Sequence, residues 1–304
     1  MRDKVYLIGF LLGAALLLYV GRGLIQSSAI FALVLSFAGT TAAGVLGLVL
    51  YRVQAELRAS QRELARKEAE LTFALEVQQS LFPRHFPADG GLEFSAVCVP
   101  ARGISGDYYD VVELPDGRVI FAIADISGKG ISAAILMSNL QAVLRIVAEA
   151  GGPPGEVCAQ LNQHLYEITD ATRFATFFYS EWNRGQRVMT YVNAGHTVPI
   201  LRGSNQGLKL KDGGPPLGLF QGTNFEVGQL VLQPGDLVVL YSDGITEAGV
   251  HRGEEFGESR LAQVIEANGS RPLAEIQQQV LGAVRRWSGD EPEDDMTLLI
   301  ARAL

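Results

Sequence analysis

The residues of this chain best suited to chemistry are aspartates, and four of them stand where apolar runs begin or end. Asp107 lies in Ser105-Gly106-Asp107-Tyr108-Tyr109-Asp110, at the start of a strand-like segment. Asp125 closes the apolar run Val119–Ala124 and opens Ser127-Gly128-Lys129-Gly130. Asp243 follows the apolar run Leu237–Tyr241 and precedes Gly244, and Asp294-Asp295 precede the last apolar run. Carboxylates at the ends of buried strands can converge on one rim of a sheet, where they repel one another unless cations lie between them. Oxygen-only ligation suits magnesium or manganese. Taken singly, each has a plainer reading, since Asp-Gly is first of all a turn dipeptide. Asp116-Gly117 and Asp212-Gly213 are read as turns only.

Other chemistries fail on spacing. A cysteine phosphatase needs Cys and Arg flanking five residues, but Ile104 and His164 occupy the positions where Cys98 and Cys158 would need Arg. Gly128-Lys129-Gly130 lacks the Ser/Thr and the earlier glycine of a P-loop. No Gly-x-Ser-x-Gly elbow is present. The four histidines, His85, His164, His196 and His251, are scattered, which argues against a zinc site. The two cysteines have no motif spacing and imply no disulfide framework.

Charge narrows the partners. The chain holds 25 Lys+Arg and 33 Asp+Glu, a net −8. Residues 1–82 carry 8 of the basic and 6 of the acidic residues, leaving 17 and 27, a net −10, for the rest. Such a domain is a poor host for nucleic acid, so no nucleic-acid partner is expected.

The elements that must position the aspartates are mostly strands. Leu92–Val99 reads as a half-buried strand. Tyr108–Leu114 and Arg118–Asp125 flank Pro115-Asp116-Gly117, a hairpin signal. Ile131–Ala150 reads as a helix with Leu136, Leu140, Val143, Leu144 and Val147 on one face, and a second helix covers about Gly155–Thr169. Phe174–Trp182, Arg187–Asn193, Val198–Arg202, Val227–Leu232 and Leu237–Tyr241 are further strands, followed by helices at about Gly257–Ala267 and Leu273–Trp287 and a last strand, Met296–Ala301. Short turns argue for antiparallel sheets, and paired helices argue for an α+β layered domain rather than a doubly wound one.

The N-terminal end is different. Residues 5–20 and 29–51 are almost unbroken apolar runs, separated by Gly21-Arg22-Gly23. They are read as two spanning helices joined by a small turn. The alternative is a signal peptide, with Arg2 and Lys4 as its basic region and Ser27-Ser28-Ala29 as a cleavage site. Arg2 and Lys4 precede the hairpin and Arg52, Arg58, Arg62, Arg66 and Lys67 follow it, so both ends are expected on the cytoplasmic side of the cell membrane. Residues 52–82 read as a linker helix. Leu57, Leu64 and Leu71 recur every seven residues, joined by Leu75, which fits either a homodimeric coiled coil or a single solvated helix. The expected domains are therefore 1–51, 52–82 and 83–304.

Five motifs occur in order: Gly106-Asp107-Tyr108-Tyr109-Asp110, Ile123-Ala124-Asp125-Ile126-Ser127-Gly128-Lys129-Gly130, Asn193-Ala194-Gly195-His196, Tyr241-Ser242-Asp243-Gly244-Ile245-Thr246-Glu247-Ala248 and Asp294-Asp295-Met296-Thr297. Together they resemble the sporulation stage II protein E branch of the metal-dependent type 2C serine/threonine phosphatases. Val77-Gln78-Gln79-Ser80-Leu81-Phe82-Pro83 resembles the segment that often leads into that domain. The resemblance implies an α-β-β-α sandwich of two antiparallel sheets with two manganese or magnesium ions between them. It implies that Asp125 bridges both ions, that Asp107 and the Ile126 carbonyl serve one, and that Asp243 and Asp294 hold the other, with Asp295 second to Asp294. Asp125 and Asp243 are the expected catalytic residues. The implied reaction is hydrolysis of phosphoserine or phosphothreonine by a metal-activated water. The implied substrate is a regulatory phosphoprotein of the anti-sigma-factor-antagonist type. Ser127 stands where eukaryotic relatives carry a histidine, and Ser105 replaces a common glycine. His196 is open to a proton-donor role or a structural one, and Lys129 to a phosphate contact or simple solvation. An inactive scaffold of the same fold and a hydrolase of small phosphoesters are the competing functions.

Overall fold

The computed structural model describes residues 2–24, 29–87, 90–101, 103–170, 172–289 and 292–304. The chain divides into two units, residues 1–69 and 70–304.

The first unit is built from α1 (Arg2–Leu24) and the N-terminal part of α2 (Ala29–Gln79). Residues 25–28, between the two helices, lie outside the described residues. Gly21-Arg22-Gly23 does not interrupt the first helix, which runs on to Leu24. Gly21 serves close approach instead: a Cβ there would lie 3.0 Å from Leu35 Cδ1 and 3.2 Å from Phe31 Cε1. The second apolar run and the linker are one helix of 51 residues. No Gly or Pro stands between Gly47 and Pro83, and the stretch after Tyr51 is rich in Ala, Leu, Glu and Arg, all strong helix formers. Leu17, Leu33 and Phe37 are 68%, 71% and 75% exposed. A helix with apolar residues on all faces needs lipid or a large core around it.

In the second unit, β1 (Leu92–Val99), β2 (Tyr108–Glu113) and β3 (Val119–Ile126) lead into α3 (Ile131–Ala150) and α4 (Pro154–Ile168). Then come β4 (Ala175–Asn183), β5 (Val188–Ala194), β6 (Ile200–Arg202), β7 (Gly213–Gly214), β8 (Gly228–Val231) and β9 (Leu237–Tyr241). The short helix α5 (Asp243–Thr246), α6 (Gly257–Asn268), α7 (Leu273–Ser288) and β10 (Met296–Ala303) complete the chain. One sheet has the order β1-β10-β9-β6, the other β2-β3-β4-β5-β7 with β8 also on β5. All pairings are antiparallel except β5 with β7.

Three apolar layers hold this arrangement. α3 and α4 pack on the outer face of the second sheet, the two sheets pack on each other, and α6 and α7 pack on the outer face of the first. The result is the expected α-β-β-α sandwich. Strand parity sorts the side chains. In β3, Ile120, Ala122, Ala124 and Ile126 face the helices, while Val119, Phe121 and Ile123 face the other sheet. Asp125 continues the second series. By the same count in β2 and β10, Asp107 and Thr297 belong to the face between the sheets.

One expected turn is more than a turn. Gly213, after Asp212, pairs with Asn193 in the parallel contact, and a Cβ there would lie 2.0 Å from the Asn193 carbonyl oxygen. The strand is too short to carry a periodic signal.

Candidate active site

Four chain segments meet at one pole of the sandwich. β9 and β10 pair through Leu298 and Tyr241, so the residues after β9 lie beside those before β10. Ser242 N donates to the Thr297 carbonyl (3.0 Å), Thr297 N donates to Ser242 Oγ (2.9 Å), and Ser242 Oγ donates to the Asp295 carbonyl (3.1 Å). Asp243 then opens α5. A Cβ on Gly244 would lie 2.1 Å from the Asp295 carbonyl oxygen, so this glycine is needed for close approach of two backbones. On the other sheet, a Cβ on Gly106 would lie 3.2 Å from the Ile126 carbonyl oxygen, which brings the loop of Asp107 against the end of β3.

The carboxylates gathered there act on one another. Burial first, then Asp125, hold the Asp107 carboxyl well above its ordinary range. Burial, then Asp243, Asp294 and Asp295, push Asp125 up to about 7. Burial and Asp294 raise Asp243, against the Gly244 amide and Lys129. Glu247, one helical turn after Asp243, is raised by its own burial and then by Asp243. Among the described residues no three His, Cys, Asp or Glu side chains stand in ligand geometry about one point. Asp107 is 2% exposed and its Oδ2 has no hydrogen-bond partner.

Asp294 and Asp295 are sorted by their neighbours. Asp295 is used up by the Asp107 loop: Ala101 N donates to its Oδ1 (2.8 Å), and Ser105 Oγ (2.9 Å) and Gly106 N (2.7 Å) donate to its Oδ2. Asp294 turns to the rim, where its Oδ2 lies 2.6 Å from Lys129 Nζ. His196 is buried and pushed down to about 4 by that burial, with Nδ1 2.8 Å from Thr176 Oγ1. It is neutral at ordinary pH and packed beneath the pole. Burial pushes the Cys98 thiol up to about 12, which leaves it unreactive.

The support around these groups was not foreseen. Ser105 accepts the Asp107 N–H on its Oγ at 2.9 Å while donating to Asp295, and so ties two of the segments together. Gln78 is 4% exposed; its Nε2 donates to the Ser105 carbonyl (2.7 Å) and its Oε1 accepts the Ser105 N–H (3.0 Å). The only sequence signals were the place of Gln78 within the segment Val77–Pro83 and that of Ser105 directly before Gly106-Asp107. Asp110, in the same motif as Asp107, points the other way: it is fully buried and accepts Arg145 Nε and Nη2 (2.8 and 3.0 Å) and the Tyr108 hydroxyl (2.6 Å).

A layered α-β-β-α sandwich with aspartates at its strand ends defines the class, a PP2C-type phosphatase domain. The SiaA-PP2C domain of Pseudomonas aeruginosa shares the fold, with a TM-score of 0.69 at 21% identity over 79% of this chain and 98% of that one. The PP2C phosphatase domain with a fragment of the regulatory domain of SpoIIE from Bacillus subtilis aligns with a TM-score of 0.61, at 25% identity over 69% of this chain and 63% of that one. In sequence, phosphoserine phosphatase RsbU of Bacillus subtilis (strain 168) is 31% identical over 83% of this chain and 74% of its own length. A family profile described as Stage II sporulation protein E (SpoIIE) matches residues 115–304. The chain belongs to that family and is a protein serine/threonine phosphatase.

Proposed function

We propose that this chain is a membrane-anchored, metal-dependent phosphatase acting on phosphoserine or phosphothreonine of a regulatory protein of the anti-sigma-factor-antagonist type. The observation that carries it is the convergence of Asp107, Asp125, Asp243 and Asp294 from separate segments, with a buried oxygen of Asp107 left without a partner. An all-oxygen donor set of this kind fits two manganese or magnesium ions. Asp125 would bridge them, with Asp107 and the Ile126 carbonyl on one side and Asp243 and Asp294 on the other. When bound, the ions supply charge neutralisation of the phosphoryl group and a water acidic enough to attack it. The chain's own residues do the positioning. Asp295, Ser105 and Gln78 hold the loop of Asp107, and Ser242 and Gly244 hold Asp243 against the start of β10. The open rim at Asp294, 42% exposed, suits a phosphate carried on another protein rather than one enclosed in a cleft.

In the same reading residues 1–51 are the membrane anchor, residues 52–82 the linker through which two copies pair, and residues 83–304 the catalytic domain in the cytoplasm. The apolar surface of α1 and α2 supports the anchor. The exposed Leu57, Leu64 and Leu71 support the pairing.

The test is phosphate release from phosphorylated antagonist-type proteins by the full chain, with manganese and with chelator. Asp125→Ala and Asp243→Ala are expected to lower turnover by roughly a thousandfold or more while the domain stays folded. Near-normal turnover by either variant in excess metal would refute the assignment.

A further inference from the structure

Lys129 stands in a loop between two glycines of positive φ, Gly128 at 96° and Gly130 at 75°, each with open space where a side chain would project. Its ammonium lies 2.6 Å from Asp294 Oδ2. The two side chains are 55% and 42% exposed, so this is a rim pair between flexible groups, of the kind worth little by itself. Its position gives it meaning. One monovalent cation sits on a carboxylate that would hold a divalent one, at the open rim of the site.

We infer that Lys129 is the phosphate-recognising residue of this enzyme, held on Asp294 until a divalent ion takes that carboxylate. The inference rests on the metal assignment proposed above. Once Asp294 is engaged, the ammonium is repelled by the ion and loses its ion-pair partner. The arriving phosphomonoester is a dianion, and an ammonium on a mobile stem is a point charge suited to it. The glycines on either side let the loop follow without strain. Lys129 thus has two opposed effects: it competes with the metal before loading and it binds substrate after loading.

Two measurements on the full chain in detergent separate these effects. By titration calorimetry with manganese alone, Lys129→Met is expected to bind the ion several-fold more tightly than wild type, since a competing positive charge is gone. In steady-state assays at saturating manganese, the same variant is expected to raise the KM for p-nitrophenyl phosphate and the inhibition constant of inorganic phosphate by about tenfold, the loss of one charge-assisted hydrogen bond. The change in kcat should be smaller, and Lys129→Arg should restore phosphate affinity. Unchanged phosphate inhibition in Lys129→Met, or weaker manganese binding, would overturn the inference. Asp125→Ala serves as the control. If wild type and Asp125→Ala bind manganese alike, it is the metal assignment that fails, and the role of Lys129 falls with it.

Discussion

At Asp125, protons and cations compete for one carboxylate. Burial and three neighbouring aspartates push it from 3.8 up to about 7. Manganese affinity should therefore fall by up to about tenfold for each pH unit below 7, as one proton must be displaced. The same shift acts on stability. In the unfolded chain the group releases its proton near 3.9, whereas the folded chain holds it to about 7. Its stabilising contribution is full below the lower value and is lost as pH rises through the upper one. In chelator at pH 8, Asp125→Asn is expected to stabilise the fold by about 1–3 kcal/mol, and at pH 4 to change little. Urea melts followed by tryptophan fluorescence decide this, and a destabilised variant at pH 8 would sink the burial argument.

Among the elements, the end of α2 has the most specific connection to the site. Gln78 replaces a strand partner for Ser105, satisfying both its N–H and its carbonyl in a buried place. Ser105 in turn holds Asp295 and the amide of Asp107. Gln78→Ala leaves two buried backbone groups unpaired, at about 1–3 kcal/mol each. The expected result is a lower melting temperature together with weaker manganese binding, because the Asp107 loop loses its brace. A variant that melts early yet binds manganese as tightly as wild type would show that the clamp serves the fold alone.

For the whole molecule, the expectations concern the membrane and the dimer. Basic residues flank both ends of the apolar hairpin, with Arg22 alone between the runs. A reporter fused after Leu304 should be active in the cytoplasm, and periplasmic activity would remove both the topology and the proposed substrate. Leu57 and Leu64 are 56% and 58% exposed on one helix, a surface that a second copy would cover. Leu64→Glu with Leu71→Glu should abolish cross-linked dimers in membranes. If the cross-linking pattern is unchanged, the linker is a single solvated helix. Apolar length alone does not mark a span. α3 is apolar enough to cross a membrane, but half of it is buried in the sandwich.

The order of the longer elements and the layered α+β class were legible in the sequence. Each depends on local pattern: period-two runs ending in turns, an amphipathic α3, five short motifs in chain order. β1 and β9 fall where alternation and apolar runs place them, at Leu92–Val99 and Leu237–Tyr241. The linker's continuity with the second apolar run was missed, because a change of composition at Tyr51 suggested a boundary; the lack of any breaker after Gly47 explains the single helix. What the tertiary structure decided was the division of labour between adjacent residues. Asp294 and Asp295 are chemically identical and differ only in what lies opposite, Lys129 at the rim or the amides of Ala101 and Gly106 inside. Gly244 looks like half of a turn until the Asp295 carbonyl is placed 2.1 Å from its missing side chain. Ser105, Gln78 and Asp295 meet across 27 and 190 positions of sequence. Such contacts leave no period in the chain, because a hydrogen bond between distant segments constrains a pair of residues and not a pattern.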